Sequence, residues 1–129
     1  MTTLVLDTGA LIALDRNDRS IWAMLRIASD DGATVVVPAG VIGQAWRDGG
    51  QALLARALNH CTELALDGST ARAAGLLCGQ ANTRDVIDAS VAIAAAGMAN
   101  TDVSVVTSDP SDITHLLATL NATATIVTV

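Results

Sequence analysis

Two aspartates stand just behind short apolar runs that are typical of buried strands. Asp7 ends the run at residues 3–6, and Asp109 follows the run at residues 103–106 after two residues. If both runs are strands of a parallel sheet, their carboxyl ends meet at one edge and both side chains project there. Clustered carboxylates suit hard cations such as Mg²⁺ or Mn²⁺, which prefer oxygen ligands. The pattern therefore predicts a divalent-metal site.

A second pair of acids begins the clearest helical stretch, residues 85–98. Asp85 and Asp88 are three residues apart, which places both side chains on one helix face with Cβ atoms ~5–6 Å apart. The residues after Asp88 are apolar or small, so we expect this carboxylate to be buried. A buried carboxylate beside another acid needs a partner, and a bound cation provides one.

Helix capping is the alternative explanation for most of these acids. Asp at a strand-to-helix turn is a favoured N-cap, which applies to Asp7. Asp109 followed by Pro110 and Asp112 makes a good helix start. Capping does not account for Asp88 within its apolar helix. Asp7 and Asp88 are therefore the principal candidates for metal ligands.

The elements that must position these acids alternate along the chain. Strand patterns occur at residues 3–6, 35–37, 61–66, 103–106 and 124–129. Helix patterns occur at residues 10–15, 21–29, 40–47, 51–58, from 69 to about 77, 85–98 and 109–120. Ser20 is the predicted N-cap of the helix at 21–29, and Ser69 is the predicted N-cap of the helix that runs to about residue 77. This order predicts an α/β fold in which helices cover both faces of a parallel sheet. We expect one domain over residues 1–129.

The net charge of −6 is the wrong sign for a protein that attracts nucleic acid through a basic face. Five of the thirteen acids, however, belong to the predicted site, and the remaining eight nearly balance seven arginines. The chain has no lysine, which excludes Walker-type phosphate loops and response-regulator receivers. Phe and Tyr are also absent, so base stacking is not the main binding mode.

Other compositional features are consistent with a cytoplasmic protein. Cys61 and Cys78 lack zinc-site spacing, so we expect two buried thiols rather than a zinc site or a disulfide. The first residues lack the features of a signal peptide, and no apolar run reaches the ~20 residues of a membrane span. We expect a soluble cytoplasmic protein with no membrane association.

Four segments follow one another along the chain: residues 4–12 (LVLDTGALI), 37–47 (VPAGV to WR), 85–94 (DVIDA to Ala94) and 105–109 (VVTSD) with Asp112. In this order they resemble the PIN-domain ribonucleases of the VapC toxin type. The resemblance covers nearly the whole chain. It implies a three-layer α/β/α PIN-like domain with a mostly parallel central sheet, in which an acidic pocket holds one or two Mg²⁺ or Mn²⁺ ions and cleaves RNA phosphodiesters.

The resemblance also implies roles for individual residues and partners. Asp7, Asp88 and Asp109 match the metal-binding acids of the family, and Asp85 and Asp112 match accessory positions. Metal held there would activate and orient a water for in-line attack on a phosphate. Relatives pair with a cognate antitoxin that covers the pocket, and homodimers are typical.

One position departs from the family pattern. Gln44 stands where the family usually has a glutamate; its amide oxygen can still bind Mg²⁺ but supplies neither charge nor a base. Beside the acids, Thr8, Thr107 and Ser108 are candidates for phosphate contacts or helix caps. Arg47 and Arg84 flank the motifs as candidate phosphate contacts, although a solvated arginine is also common.

Three alternatives remain open on the sequence. Gln44 could leave a PIN-like fold with weakened activity or with none, as a binding module. The segment from Asp7 to Ala10 also resembles the catalytic loop of retroviral-type aspartic proteases, which are nearly all-β. Finally, the face formed by Ile21, Trp22 and Leu25 could contact a partner, but its helical spacing also fits the core.

Overall fold

The computed structural model describes residues 2–98 and 101–129. Within them, the strands are β1 (Thr2–Leu6), β2 (Thr34–Pro38), β3 (Thr62–Leu64), β4 (Asp102–Thr107) and β5 (Thr125–Thr128). The helices are α1 (Thr8–Asp15), α2 (Arg19–Asp30), α3 (Ala39–Ala45), α4 (Ala52–Leu58), α5 (Gly68–Ala81), α6 (Val86–Gly97) and α7 (Pro110–Thr119).

The five strands form one sheet in the order β3-β2-β1-β4-β5, and every pairing is parallel. β1 lies at the centre, with Leu6 opposite Val106 of β4. Valines, with two leucines in β1, fill the three central strands because a strand covered on both faces needs apolar side chains in both directions. Val5, Val37 and Val105 are fully buried.

The helices pack in two groups that flank the sheet. α1 contacts α2, α3 and α4, whereas α5, α6 and α7 contact one another. α1 and α6 each also pack on β1 and β4. This arrangement confirms the predicted α/β class, and the sheet is wholly parallel among the described strands rather than mostly parallel.

Two predicted helix caps are wrong. The side chain of Asp18 accepts hydrogen bonds from the amides of Ser20 and Ile21, so Asp18 rather than Ser20 caps α2. Asp67 rather than Ser69 caps α5, through the amide of Thr70. In both cases an aspartate two residues before the predicted serine reaches the free amides of the first turn, and its negative charge is favourable at the positive end of the helix dipole.

The extents of two elements also differ from the predictions. α5 continues past residue 77 to Ala81 and ends at Asn82, which adopts the left-handed conformation with φ of 58°. Asparagine tolerates this conformation better than most residues, which makes Asn82 a good helix stop. β3 covers only Thr62–Leu64 of the predicted segment 61–66.

The core interpretation of the α2 face is confirmed for its aliphatic residues. Ile21 and Leu25 are buried, and the half-buried Trp22 donates a hydrogen bond from its indole nitrogen to the carbonyl of Leu14. Cys78 is buried and Cys61 half-buried, and both are free thiols. None of the described helices combines the length and apolar character that crossing a membrane requires.

Candidate metal centre

The centre lies where the strand order of the sheet reverses. From β1 the chain builds outward through β2 and β3, then returns to add β4 and β5 on the other side of β1. Side chains that follow β1 and β4 therefore meet at a crevice beyond the carboxyl ends of the strands, the usual ligand site of open parallel sheets. Asp7 continues the β1–β4 pairing by donating its amide to the carbonyl of Val106 at 3.0 Å.

The carboxylate of Asp7 is held through both of its oxygens. Oδ1 accepts the amide of Thr8 at 2.7 Å, so Asp7 is the N-cap of α1. Oδ2 accepts the hydroxyl of Thr107 at 2.6 Å. Asp7 can therefore cap α1 and also bind a ligand in the acidic site, because each of its carboxylate oxygens retains a further lone pair.

Thr107 also connects Asp7 with Asp109. Its hydroxyl oxygen accepts the backbone amide of Asp109 at 2.9 Å while its hydrogen goes to Asp7. The residue is fully buried, so its hydroxyl faces the interior of the site rather than a substrate. Thr107 therefore orients two acids, a role that the sequence alone does not indicate.

Asp85 and Asp88 have different local roles at the start of α6. Oδ1 of Asp85 accepts the amides of Ile87 and Asp88, at 3.0 and 2.9 Å, so Asp85 is the N-cap. Asp88 lies in the first turn and is only 8% exposed, which confirms its expected burial. The cap fixes the first turn of α6 and with it the direction of the Asp88 side chain.

Three carboxylates converge in the crevice. Oxygen atoms of Asp7, Asp88 and Asp109 all lie within 4.8 Å of one another. Asp109 occupies the N-cap position of α7 but makes no side-chain capping hydrogen bond. The capping explanation is therefore wrong for Asp109, whose exposed carboxylate remains available to a ligand. Asp112, in the first turn of α7, is exposed as well.

The pKa values of two acids in the cluster are raised because burial and neighbouring negative charges disfavour their ionised forms. Burial, followed by the nearby charge of Asp85, raises the pKa of Asp88 to about 7, with further contributions from Asp7, Asp109 and Asp112. Burial also raises the pKa of Asp7, against the lowering effect of the hydrogen bonds from Thr107 and Thr8. The charge of Asp85 thus raises the pKa of both Asp7 and Asp88, and the charge of Asp112 raises that of Asp88.

The residues present fit a hard divalent cation. The converging donors are carboxylate oxygens, as Mg²⁺ and Mn²⁺ prefer. A cation between them would offset the repulsion that raises these pKa values. His115 is engaged elsewhere, since its Nε2 lies 2.7 Å from the carbonyl oxygen of Ala81.

A close approach between α1 and the β4–α7 turn completes the crevice. A Cβ atom added to Gly9 would lie 2.5 Å from Oγ of Ser108 and 2.7 Å from its Cβ. Only glycine lets these segments come so close, which keeps Asp7 beside Asp109. The sequence contains the glycine but gives no signal that Ser108 is its neighbour.

Gln44 lies at the margin of the site. Its side-chain oxygen accepts a hydrogen bond from the hydroxyl of Thr8, the residue after Asp7. Gln44 is exposed, at the end of α3. The amide is therefore tied to the first turn of α1 and brings no charge to the acidic cluster.

The two predicted arginine contacts differ. The guanidinium of Arg47 donates to the carbonyls of Gly43, Gln44 and Trp46, so it covers the carboxyl end of α3. Arg84 is exposed and directly precedes the cap Asp85. Arg47 thus has a structural role on α3, whereas Arg84 remains a candidate for a phosphate contact.

Among known proteins, the chain resembles others in its fold but not detectably in its sequence. No protein-family model and no curated protein matches the sequence. The fold is similar to that of a chain in the crystal structure of VapBC2 from Rickettsia felis bound to a DNA fragment from their promoter, with a TM-score of 0.66 and 12% identity. The match covers 98% of both chains. At this identity the likeness concerns the fold, and it agrees with the PIN-like architecture that the sequence resemblance implies.

Proposed function

We propose that this protein is a metal-dependent endoribonuclease of the VapC toxin type that hydrolyses RNA phosphodiester bonds. The observation that carries the proposal is the convergence of Asp7, Asp88 and Asp109 within 4.8 Å at the switch point of the sheet. Two of these acids are buried, and burying like charges together is costly unless a cation accompanies them.

Each residue of the centre has a definite task in this proposal. Asp7, Asp88 and Asp109 hold Mg²⁺ or Mn²⁺, Asp85 and Asp112 add negative charge nearby, and Thr107 orients Asp7. The bound metal supplies Lewis-acid activation of water and neutralises charge on the phosphate. In this proposal Thr8, Ser108 and Arg84 contact the phosphate oxygens of the substrate.

The proposed biological setting follows in part from the fold likeness. The similar chain belongs to the VapBC2 complex of Rickettsia felis. This likeness supports a cognate antitoxin as the partner of this chain, whereas the homodimer and the cytoplasmic location that we also propose rest on the sequence alone. A short open reading frame for an antitoxin next to the gene would support this setting.

Cleavage of RNA tests the proposal directly. Single-stranded RNA is incubated with wild-type protein and Mg²⁺ or Mn²⁺, with EDTA, and with the variants Asp7→Asn and Asp88→Asn. We expect cleavage by the wild type that EDTA and either substitution abolish. Asp102→Asn is the matched control, because this exposed acid lies at the far end of β4. Unchanged cleavage by Asp7→Asn or Asp88→Asn contradicts the proposal.

A second candidate function is that of a PIN-like binding module without nuclease activity. It is favoured by Gln44, which adds no carboxylate to the cluster. The variant Gln44→Glu distinguishes the two, since a carboxylate can accept the same hydrogen bond from Thr8 while adding charge. Cleavage gained only in this variant would show that the natural chain is a binding module.

The observed fold excludes the aspartic-protease alternative. That class is nearly all-β, whereas the described residues form seven helices around a parallel sheet. Asp7 in this chain caps a helix and lies against two other acids. The likeness of residues 7–10 to the protease loop is therefore local.

A further inference from the structure

A cleft between α2 and α4 lies apart from the acidic centre. Its volume is about 500 Å³, within the ~300–1,000 Å³ range of small-molecule sites. None of the residues that line it belongs to the acidic centre. The cleft has no role in the proposed cleavage chemistry.

The cleft concentrates positive charge in an acidic protein. Three of the seven arginines of the chain line it, Arg19 and Arg26 on α2 and Arg56 on α4. Arg19 and Arg26 are seven residues apart, so they share one helix face two turns apart. His60 lies on the α4 side, and Asp30 is the one acid among the lining residues.

The three guanidinium groups are available to a ligand. Arg19, Arg26 and Arg56 are all exposed. Across the described ranges 2–98 and 101–129, arginine side chains donate hydrogen bonds only at Arg47. Guanidinium groups bind phosphate oxygens in a bidentate manner, and arginine is therefore common where proteins recognise phosphate.

Trp22 adds an aromatic surface between the arginines. It follows Arg19 by three residues and precedes Arg26 by four, and so lies on the same face of α2. The hydrogen bond from its indole nitrogen to the carbonyl of Leu14, 3.0 Å long, fixes the ring in a half-buried position. A fixed indole offers a surface for one nucleobase.

We propose that this cleft binds the phosphate backbone of single-stranded RNA, with one base against Trp22. The proposal rests on the proposed ribonuclease function and names a substrate-holding site away from the scissile bond. An acidic peptide could also pair with arginines. The combination of clustered guanidinium groups with a fixed aromatic ring favours a nucleotide chain, because single-strand sites combine these two elements.

The charge of the molecule explains why such a site is needed. A net charge of −6 repels RNA at long range, and the acidic centre itself repels phosphate until a cation is bound. A cluster of three arginines provides local attraction where the rest of the surface provides little. The cleft would therefore determine how tightly RNA is held, while the acids determine whether it is cut.

A binding titration without metal tests the proposal independently of cleavage. A short labelled RNA is titrated in EDTA with wild type, with Arg26→Gln/Arg56→Gln and with the control Arg72→Gln, whose exposed arginine lies on α5. Loss of two phosphate contacts should lower the salt-dependence slope by about 1.4 and the affinity at about 0.1 M salt by about 25-fold. The control should bind as the wild type does.

The fluorescence of Trp22 locates the bound RNA. The chain has no tyrosine and only two tryptophans, so the variant Trp46→Phe leaves Trp22 as the single fluorophore. We expect RNA to quench its emission, and Arg26→Gln/Arg56→Gln to remove the quenching. Circular dichroism confirms that the variants fold, and the single substitutions Arg26→Gln and Arg56→Gln serve if the double variant does not.

Several outcomes would overturn the proposal. They are equal binding by wild type and Arg26→Gln/Arg56→Gln, an equal loss in Arg72→Gln, and binding that leaves the emission of Trp22 unchanged. If polyglutamate displaces the RNA at equal charge concentration, the cleft is an acidic-peptide site instead. Failure of the ribonuclease function looks different, because RNA would then bind in EDTA but would not be cleaved when Mn²⁺ is added.

Discussion

A single buried hydroxyl connects the two acids that follow the central strands. Thr107 donates to Asp7 and accepts from the amide of Asp109, so its hydrogen-bonding capacity serves the geometry of the site. In metal sites, hydrogen bonds of this kind orient the ligating carboxylates, and their removal typically lowers metal affinity by about 10–100-fold. Thr107 is therefore a positioning residue rather than a metal ligand.

Removing this hydroxyl should weaken metal binding. Thr107→Val keeps the shape of the side chain but removes the donor to Asp7 and the acceptor for Asp109. We expect the affinity for Mn²⁺, measured by titration calorimetry, to fall by about 10–100-fold, as for other substitutions behind a metal site. Thr107→Ser retains the hydroxyl, so its affinity for Mn²⁺ should be much closer to that of the wild type than the affinity of Thr107→Val is. Equal losses in both variants would refute the positioning role.

The raised pKa of Asp88 predicts a pH-dependent stability in the absence of metal. Its folded value of about 7 lies above the usual 3.8, so the folded state holds a proton that the unfolded state has released. The stabilisation from this proton is complete below pH ~4 and is lost as the pH rises to about 7.

Comparison with Asp88→Asn isolates this effect. In EDTA, the unfolding free energy of the wild type relative to Asp88→Asn should fall by up to about 1.4 kcal/mol per pH unit between pH ~4 and ~7, then level off. Chemical denaturation across this range measures it. A difference between the two proteins that does not change with pH would show that Asp88 titrates normally when folded.

At the scale of elements, the residue that caps a helix is difficult to identify from the sequence. The sequence predicts serine caps for α2 and α5, but Asp18 and Asp67 cap these helices. Several residues near each helix start can cap it, and the backbone conformation that decides among them is not visible in sequence. The same ambiguity applied to Asp109, which occupies a cap position without making a capping bond.

The approach of α1 to the β4–α7 turn depends on Gly9. In Gly9→Ala the added methyl would meet both side-chain atoms of Ser108, so we expect the turn that carries Asp109 to shift. Overpacking of this kind costs about 1–3 kcal/mol, and the Mn²⁺ affinity should fall as well. Thermal unfolding and metal titration measure the two effects.

Gly75→Ala is the control for this substitution. Gly75 lies within α5, and a Cβ added there would meet nothing within 4 Å. Alanine should stabilise the helix at this position by up to about 1 kcal/mol without changing Mn²⁺ binding. If both variants behaved alike, the close contact at Gly9 would not matter to the site.

At the scale of the molecule, the sequence predicts the sheet better than the surface around it. Apolar strands alternating with helices leave few arrangements, so the α/β class and the placement of Asp7 and Asp109 at one edge follow from the pattern. The cleft between α2 and α4 was not predicted, because its arginines come from helices whose relative position depends on packing. Likewise, Thr107 and Ser108 acquire their roles only from contacts across the sheet edge.

The acidic centre exists only when β1, β4 and α6 have come together. Asp7 and Asp109 are far apart in sequence and meet through the pairing of β1 with β4, whereas Asp88 arrives on a helix packed over both strands. The unfolded chain therefore has no equivalent site, and a metal that binds there stabilises only the folded state.

Thermal unfolding in the presence of Mn²⁺ tests this connection between fold and site. At a metal concentration about 100 times the dissociation constant, the folded state should gain about 2.7 kcal/mol. Each kcal/mol raises Tm by roughly 2–8 °C for domains of about 60–250 residues. Asp7→Asn and Asp88→Asn should lose this shift, while Asp102→Asn should keep it, since Asp102 lies at the opposite end of β4. A shift of equal size in all four proteins would mean that Mn²⁺ binds the acidic surface in general, and that the three converging carboxylates do not form a metal site.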